Sequence, residues 1–225
     1  MKISVAKNSD EVFNNVQLYI SHLFRIALII AMCLDVYFGR WMLLFLNCIA
    51  LFLMFLPAII EHNYKITLPI ELELLFVFFI FGSMFLGETF DYYHKFWWWD
   101  VMLHCISGLI LGYIGFIILY VFYSEKLIKA RPFLLVMFSF SFAVALGTIW
   151  EIFEFFMDNT FGFNMQKSGL VDTMWDLIID CLGAFVVSLF GYIYLKYHKG
   201  WFLKDLILKF VRNNPNMFVY KQQSN

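Results

Sequence analysis

Residues 97–123 read WWWDVMLHCISGLILGYIGFIILYVFY. Beyond Asp100 and His104 no charged residue appears before Glu125, and an apolar run of that length reads as a membrane-spanning helix. The three tryptophans at its head mark the interface level, where aromatic belts collect. Asp100 and His104 stand one helical turn apart at the mouth of this span.

The rest of the chain agrees. Of 225 residues, 62% are hydrophobic and 15% charged, and the mean hydropathy is +0.76. Soluble domains carry roughly 45–50% apolar and about 25% charged residues. So much apolar surface needs lipid as its solvent. A net charge of −1 gives no footprint for nucleic acid. Cys33, Cys48, Cys105 and Cys181 fall inside apolar segments without a CxxC spacing, as small buried hydrophobes rather than disulfide partners. The opening MKISVAKNSDEVFNNVQ is polar for too long to be a signal peptide, so the first apolar segment reads as a retained span.

The fold expected is all-α and polytopic, with spans at about 19–38, 41–60, 70–90, 100–123, 133–157 and 175–197. Arg25 interrupts the first, and near a span end it can snorkel to the interface. Glu71 and Glu73, at the start of the third, read as interfacial. Six spans place both termini on one side. The tails and the 61–69 and 124–132 loops hold twelve Lys and Arg, against Arg40, Lys95 and Lys167 on the other face. The positive-inside rule makes both termini cytoplasmic. GWFLKDLILKFVRN (200–213) then reads as a basic amphipathic helix on the inner leaflet. The organisation expected is one integral membrane domain over 1–225: a cytoplasmic N-tail (1–18), a six-span bundle (19–197) and a cytoplasmic amphipathic tail (198–225).

That orientation gathers Asp35, Glu88, Asp91, Asp100, Glu151, Glu154, Asp158, Asp172, Asp176 and Asp180 on the outer face, ten of the 17 acids against three bases. Asp172, Asp176 and Asp180 share one helical face, as do Glu151, Glu154 and Asp158, and Asp100 with His104. For Asp100 and Asp172 a helix N-terminus is itself a favourable place for a carboxylate. Glu151 and Glu154 have no such reason. They lie near a helix C-terminus, inside the apolar region, where ionisable groups mark functional sites. Carboxylates this dense need protons or a bound cation between them.

The motif WDVMLHC (99–105) returns as WDLIIDC (175–181), with Gly108 and Gly183 soon after, and GETFDYY (87–93) matches WEIFEFF (150–156). Spans three–four and five–six thus read as two copies of one hairpin in the same orientation, with a site at their interface. The candidate ligands are Asp100, His104, Glu151, Glu154, Asp176 and Asp180, with Glu88 and Asp91 as the equivalents in the other copy. Oxygen donors with one imidazole suit Mg²⁺, Mn²⁺ or Zn²⁺.

WWWDVMLHCISGLILG (97–112), WEIFEFFMD (150–158) and GLVDTMWDLIIDCLGA (169–184) resemble the YjdF-type family of bacterial multi-span inner membrane proteins, a family of unknown function. A more distant similarity is to VanZ-like proteins, which carry D-K-x-x-H, E-x-x-Q and D-x-x-x-N-x-x-G elements and are associated with glycopeptide resistance. Here Asp100 and His104, Glu151 and Glu154, and Asp176 and Asp180 fill those places, with Val101 where the family has Lys, Glu154 for Gln and Asp180 for Asn. The resemblance, together with the charge bias, implies a bacterial plasma membrane location.

Three functions stay open. One is an extracytoplasmic metal-dependent enzyme acting on a lipid-linked or envelope substrate, with Glu151 as general base and His104 as ligand or proton shuttle. A second is a non-enzymatic envelope protein binding a ligand or partner in its acidic cup. The third is a cation- or proton-coupled transporter, for which the sequence offers no evident polar path at mid-depth.

Overall fold

The computed structural model describes residues 2–162, 164–197 and 202–218, and among them all regular structure is helical. Lys199 and Lys221 of the expected tail lie outside the described residues. Six helical stretches are long and apolar enough to cross a membrane: Asn15–Tyr37, Trp41–Tyr64, Ile70–Thr89, Trp99–Ser124, Pro132–Phe161 and Leu170–Tyr197. The chain falls into two compact units, Met1–Phe96 and Trp97–Asn225.

In the first unit α1 (Lys2–Tyr37) is helical from its polar start and ends at Gly39, whose φ of +67° reverses the chain. The second span is two helices, α2 (Trp41–Met54) and α3 (Leu56–Tyr64). Pro57 has no N–H to continue the ladder, so the helix breaks ahead of it. The third span begins as α4 (Ile70–Ile80) and continues as a π-helical segment, Phe81–Thr89. Its wider turn accompanies a close approach at Gly87, where any Cβ would overlap the Tyr93 ring. A short α5 (Tyr92–Lys95) follows. Leu28, Ala31, Ala50, Met54, Val77, Ile80, Phe81 and Phe85 form this unit's core.

Arg25 does not snorkel. It is buried, with Nη2 donating to the Met54 carbonyl at 3.0 Å and lying 3.3 Å from Glu73 Oε1. The break at Pro57 sets that carbonyl beside the guanidinium, and Glu73 is its internal counter-ion rather than an interfacial group. Asp35 is likewise enclosed: it pairs with Arg40 at 2.8 Å and accepts from Asn47 Nδ2 at 2.8 Å. All four cysteines are free thiols; Cys33 and Cys48 are exposed on the surface of their spans instead of buried.

The second unit holds α6 (Trp99–Ser124), α7 (Pro132–Phe161), α8 (Leu170–Tyr197) and α9 (Phe202–Asn213). Pro132 opens α7, where its fixed φ suits a first turn, and Gly162, at φ +71°, closes it. Contacts run in register along α6 and α8, from Gly108 beside Asp180, through Gly112 beside Val187, to Tyr120 beside Tyr194. The two helices are therefore parallel, with α7 antiparallel to both. Their backbones come close at Gly108 and Gly183, where an added Cβ would stand 2.8 Å from the Asp180 carbonyl and 2.9 Å from the Cys105 carbonyl. Without a hydrophobic force between helices in lipid, such small-residue contacts supply the packing.

Helix α9 forms where the amphipathic pattern predicts, but its apolar face lies on protein. Leu203, Leu206, Ile207 and Phe210 are buried, and the Leu206 carbonyl accepts from Tyr113 Oη at 3.2 Å. Phe218 packs its ring against both Phe210 and Tyr120. The face expected to lie in the inner leaflet is occupied by this unit's own helices.

The expected duplication divides unevenly. WDVMLHC and WDLIIDC open the parallel helices α6 and α8 of one unit. GETFDYY belongs to the other, and it runs from the π-helical segment through Asp91, at φ +60°, into α5, whereas WEIFEFF is regular α-helix. The sequence match upstream is not a match of backbone.

Candidate metal centre

Three helix ends meet at one end of the second unit: the N-termini of α6 and α8 and the last turns of α7. α7 has 30 residues, about 45 Å at 1.5 Å per residue, against about 30 Å of hydrocarbon. Trp150 and Trp175, both exposed, precede Glu151 and Asp176. Indoles prefer the headgroup level, so the acids following them sit near the hydrocarbon margin.

His104 is the centre of the cluster, 7% exposed. Its Nε2 faces three carboxylates: Asp176 Oδ1 at 3.8 Å, Asp100 Oδ1 at 3.9 Å and Glu151 Oε1 at 3.9 Å. Its Nδ1 faces Asp180 Oδ1 at 3.4 Å. Ser107 Oγ lies 3.0 Å from that same oxygen and 2.8 Å from the His104 carbonyl. Glu151, Asp176 and Asp180 are each 3% exposed and Glu154 is 9% exposed. Neither oxygen of Glu151, nor Asp180 Oδ2, nor His104 Nδ1 makes a hydrogen bond of regular geometry. Such groups are costly to bury without a partner.

Ligand atoms of His104, Glu151 and Asp176 all lie within 4.8 Å of one another, and so do those of Asp100, Asp172 and Asp176. Atoms bound to one tetrahedral Zn²⁺ at about 2.0–2.2 Å stand about 3.3–3.6 Å apart. The 3.8–3.9 Å around His104 Nε2 needs only a few tenths of an ångström of contraction. Asp180 sits differently, on the Nδ1 side, in the position of a carboxylate that orients a ligating imidazole.

Of the residues singled out in the sequence, Asp100, His104, Glu151, Glu154, Asp176 and Asp180 all belong to this unit, and five of them ring His104 or include it; Glu154 lies within electrostatic reach of Glu151, His104, Asp100 and Asp176. Glu88 and Asp91 belong to the other unit, where both are exposed and Asp91 pairs with His94 at 2.6 Å. Asp158 is absorbed by structure: its two oxygens accept from the backbone N–H groups of Met165 and Gln166 at 2.8 and 2.9 Å. Sequence reasoning counts Lys167 among the three bases of this face but misses it as a partner of Asp100, whose Oδ2 lies 2.6 Å from its Nζ. It also misses Ser107 and Gly147. A Cβ on Gly147 would overlap the Asp180 carboxylate. A lone lysine in a loop and a glycine in an apolar run carry no periodic signal by which to find them.

Residues 16–197 match the family described as "Predicted membrane protein (DUF2238)". The chain belongs to this family. The segment matched in this membrane-protein family holds every residue of the cluster and stops before α9. An uncharacterized protein of Thermotoga maritima is 33% identical over 140 residues, covering 60% of this chain and 68% of the relative. No solved structure matches the chain. Neither match bears on the VanZ-like similarity.

Proposed function

We propose that His104 Nε2, Glu151 and Asp176 hold a divalent cation, and that the protein uses it to hydrolyse a lipid-linked or envelope substrate on the outer side of a bacterial plasma membrane, with both termini cytoplasmic. The observation that carries this is Glu151, almost fully buried, with neither oxygen in a hydrogen bond of regular geometry, beside an imidazole and two further carboxylates. A mixed imidazole and carboxylate set favours Mn²⁺ or Zn²⁺ over Mg²⁺, which prefers oxygen and retained water. A bound ion would supply Lewis-acid chemistry, polarising a phosphoryl or acyl oxygen and making water acidic enough to attack it. Glu151 would serve as the general base that takes a proton from the attacking water and returns it to the departing oxygen. Asp180, held by Ser107, keeps His104 in the orientation that points Nε2 at the ion. The headgroup-level tryptophans suit a substrate whose reactive group sits at the membrane surface.

The test is metal content and metal-dependent melting of the purified full-length protein. Mn²⁺ or Zn²⁺ at a hundred times its Kd should stabilise the native state by about 2.7 kcal/mol. His104→Ala and Asp176→Asn should abolish that stabilisation while the proteins still fold. Uptake should weaken as pH falls, because both carboxylate and imidazole must be deprotonated to ligate. Wild-type protein that purifies without metal, and whose melting does not respond to either ion, would overturn the proposal.

A further inference from the structure

We infer that Lys167 is a resident cation in the second of two adjoining carboxylate positions, so that the centre takes one divalent ion rather than two. The inference rests on the metal reading above and concerns what limits it.

Asp176 belongs to both triads, His104–Glu151–Asp176 and Asp100–Asp172–Asp176. Two such positions sharing a carboxylate are the arrangement that holds paired ions about 3.5–4 Å apart in two-metal enzymes. The first position has buried Glu151 oxygens in no hydrogen bond of regular geometry, and among the described residues no ammonium or guanidinium is paired with it. The second already has a positive charge: Lys167 Nζ lies 2.6 Å from Asp100 Oδ2, and the Lys167 backbone N–H donates to Asp172 Oδ2 at 3.1 Å. One residue thus engages two of that triad's three members.

The loop holds the lysine there. Asp158 fixes the backbone of Met165 and Gln166, Gln166 Nε2 donates to Thr173 Oγ1 at 2.6 Å, and Gly162 and Gly169 turn the chain at both ends with φ of +71° and +65°. A surface lysine on a free arm would lose side-chain entropy to sit at one place. Here the backbone on either side of it is already tied. An ammonium and a divalent ion within a few ångströms of each other repel at this partly buried position, so the lysine excludes a second ion while leaving the first position open.

The experiment loads the full-length protein with Mn²⁺, removes excess, and reads manganese per chain together with its EPR spectrum. Wild type should hold about one ion with an isolated-ion spectrum, and Lys167→Ala about two with an exchange-coupled one. Lys167→Arg, which keeps the charge, should stay at about one. If Lys167→Ala does not fold, Lys167→Gln, neutral and of similar reach, is read in its place. A neutral variant that folds and still holds one ion would overturn the inference and leave the metal reading standing. Wild-type protein holding none would overturn the metal reading, and this inference with it.

Discussion

Gly147 shows how closely the cluster is fitted at the scale of single residues. It is the point on α7 against which the Asp180 carboxylate rests, and only hydrogen fits there. Gly147→Ala should drive Asp180 off Ser107 and loosen the imidazole behind it. Groups that orient a metal-bound histidine are worth about 10–100-fold in affinity, so Mn²⁺ or Zn²⁺ should bind weaker by that factor. Asp180→Asn should lose a similar amount with its volume nearly kept. The measurement is a metal titration of both variants, and unchanged affinity in both would remove Asp180 from any orienting role. None of this could be read from spacing alone. Helical periodicity aligns Asp100 with His104 and Asp176 with Asp180, but which helix face meets which neighbour is decided by the close approach at Gly108 and Gly183. The sequence displays those glycines without saying what they touch.

Among the elements, the broken second span carries the clearest energetic consequence. Arg25 of α1 lies between the Met54 carbonyl at the end of α2 and Glu73 of α4, with its guanidinium also 4.7 Å from the Phe55 ring centroid. Removing one charge of a buried pair leaves the other uncompensated and costs about 3–5 kcal/mol, whereas replacing both with apolar groups is often neutral. Arg25→Met should therefore lower thermal stability markedly, and Arg25→Met with Glu73→Met should recover most of it. A double variant no better than the single one would show that the Met54 carbonyl and the Phe55 ring, not Glu73, are what the arginine serves. The helices themselves were legible, because a run of about 20 apolar residues has one stable form in lipid. The expected span at about 41–60 takes no account of the break at Pro57, nor of the arginine that exploits it. That arginine lies 29 positions earlier in the chain than the carbonyl it bonds, and sequence separation says nothing of such a meeting. The π-helical turn of Phe81–Thr89 was equally hidden, since no residue pattern announces it.

For the whole molecule the governing feature is the uneven placing of charge, twelve bases in the tails and two loops against ten acids at the opposite helix ends. If that bias sets the orientation, a reporter active only in the cytoplasm and fused after Asn225 should be active, and one placed in the Gly162–Gly169 loop silent. The reverse result would put the acidic cluster on the cytoplasmic side and remove the envelope substrate from consideration. This large-scale pattern is the part of the protein most fully written in its sequence, because it depends on composition near span ends and not on contacts.

The folded-back α9 has a bearing on biogenesis. It leaves the ribosome after all six spans, yet the surface it covers, around Tyr113 of α6, was made well before it. Until α9 is made, the Tyr113 hydroxyl lacks the Leu206 carbonyl to which it donates, so the three-helix unit is completed only after its last span has been synthesised. A nascent chain halted before residue 202 would hold the three long helices without the helix that buries Leu203, Leu206, Ile207 and Phe210 against them.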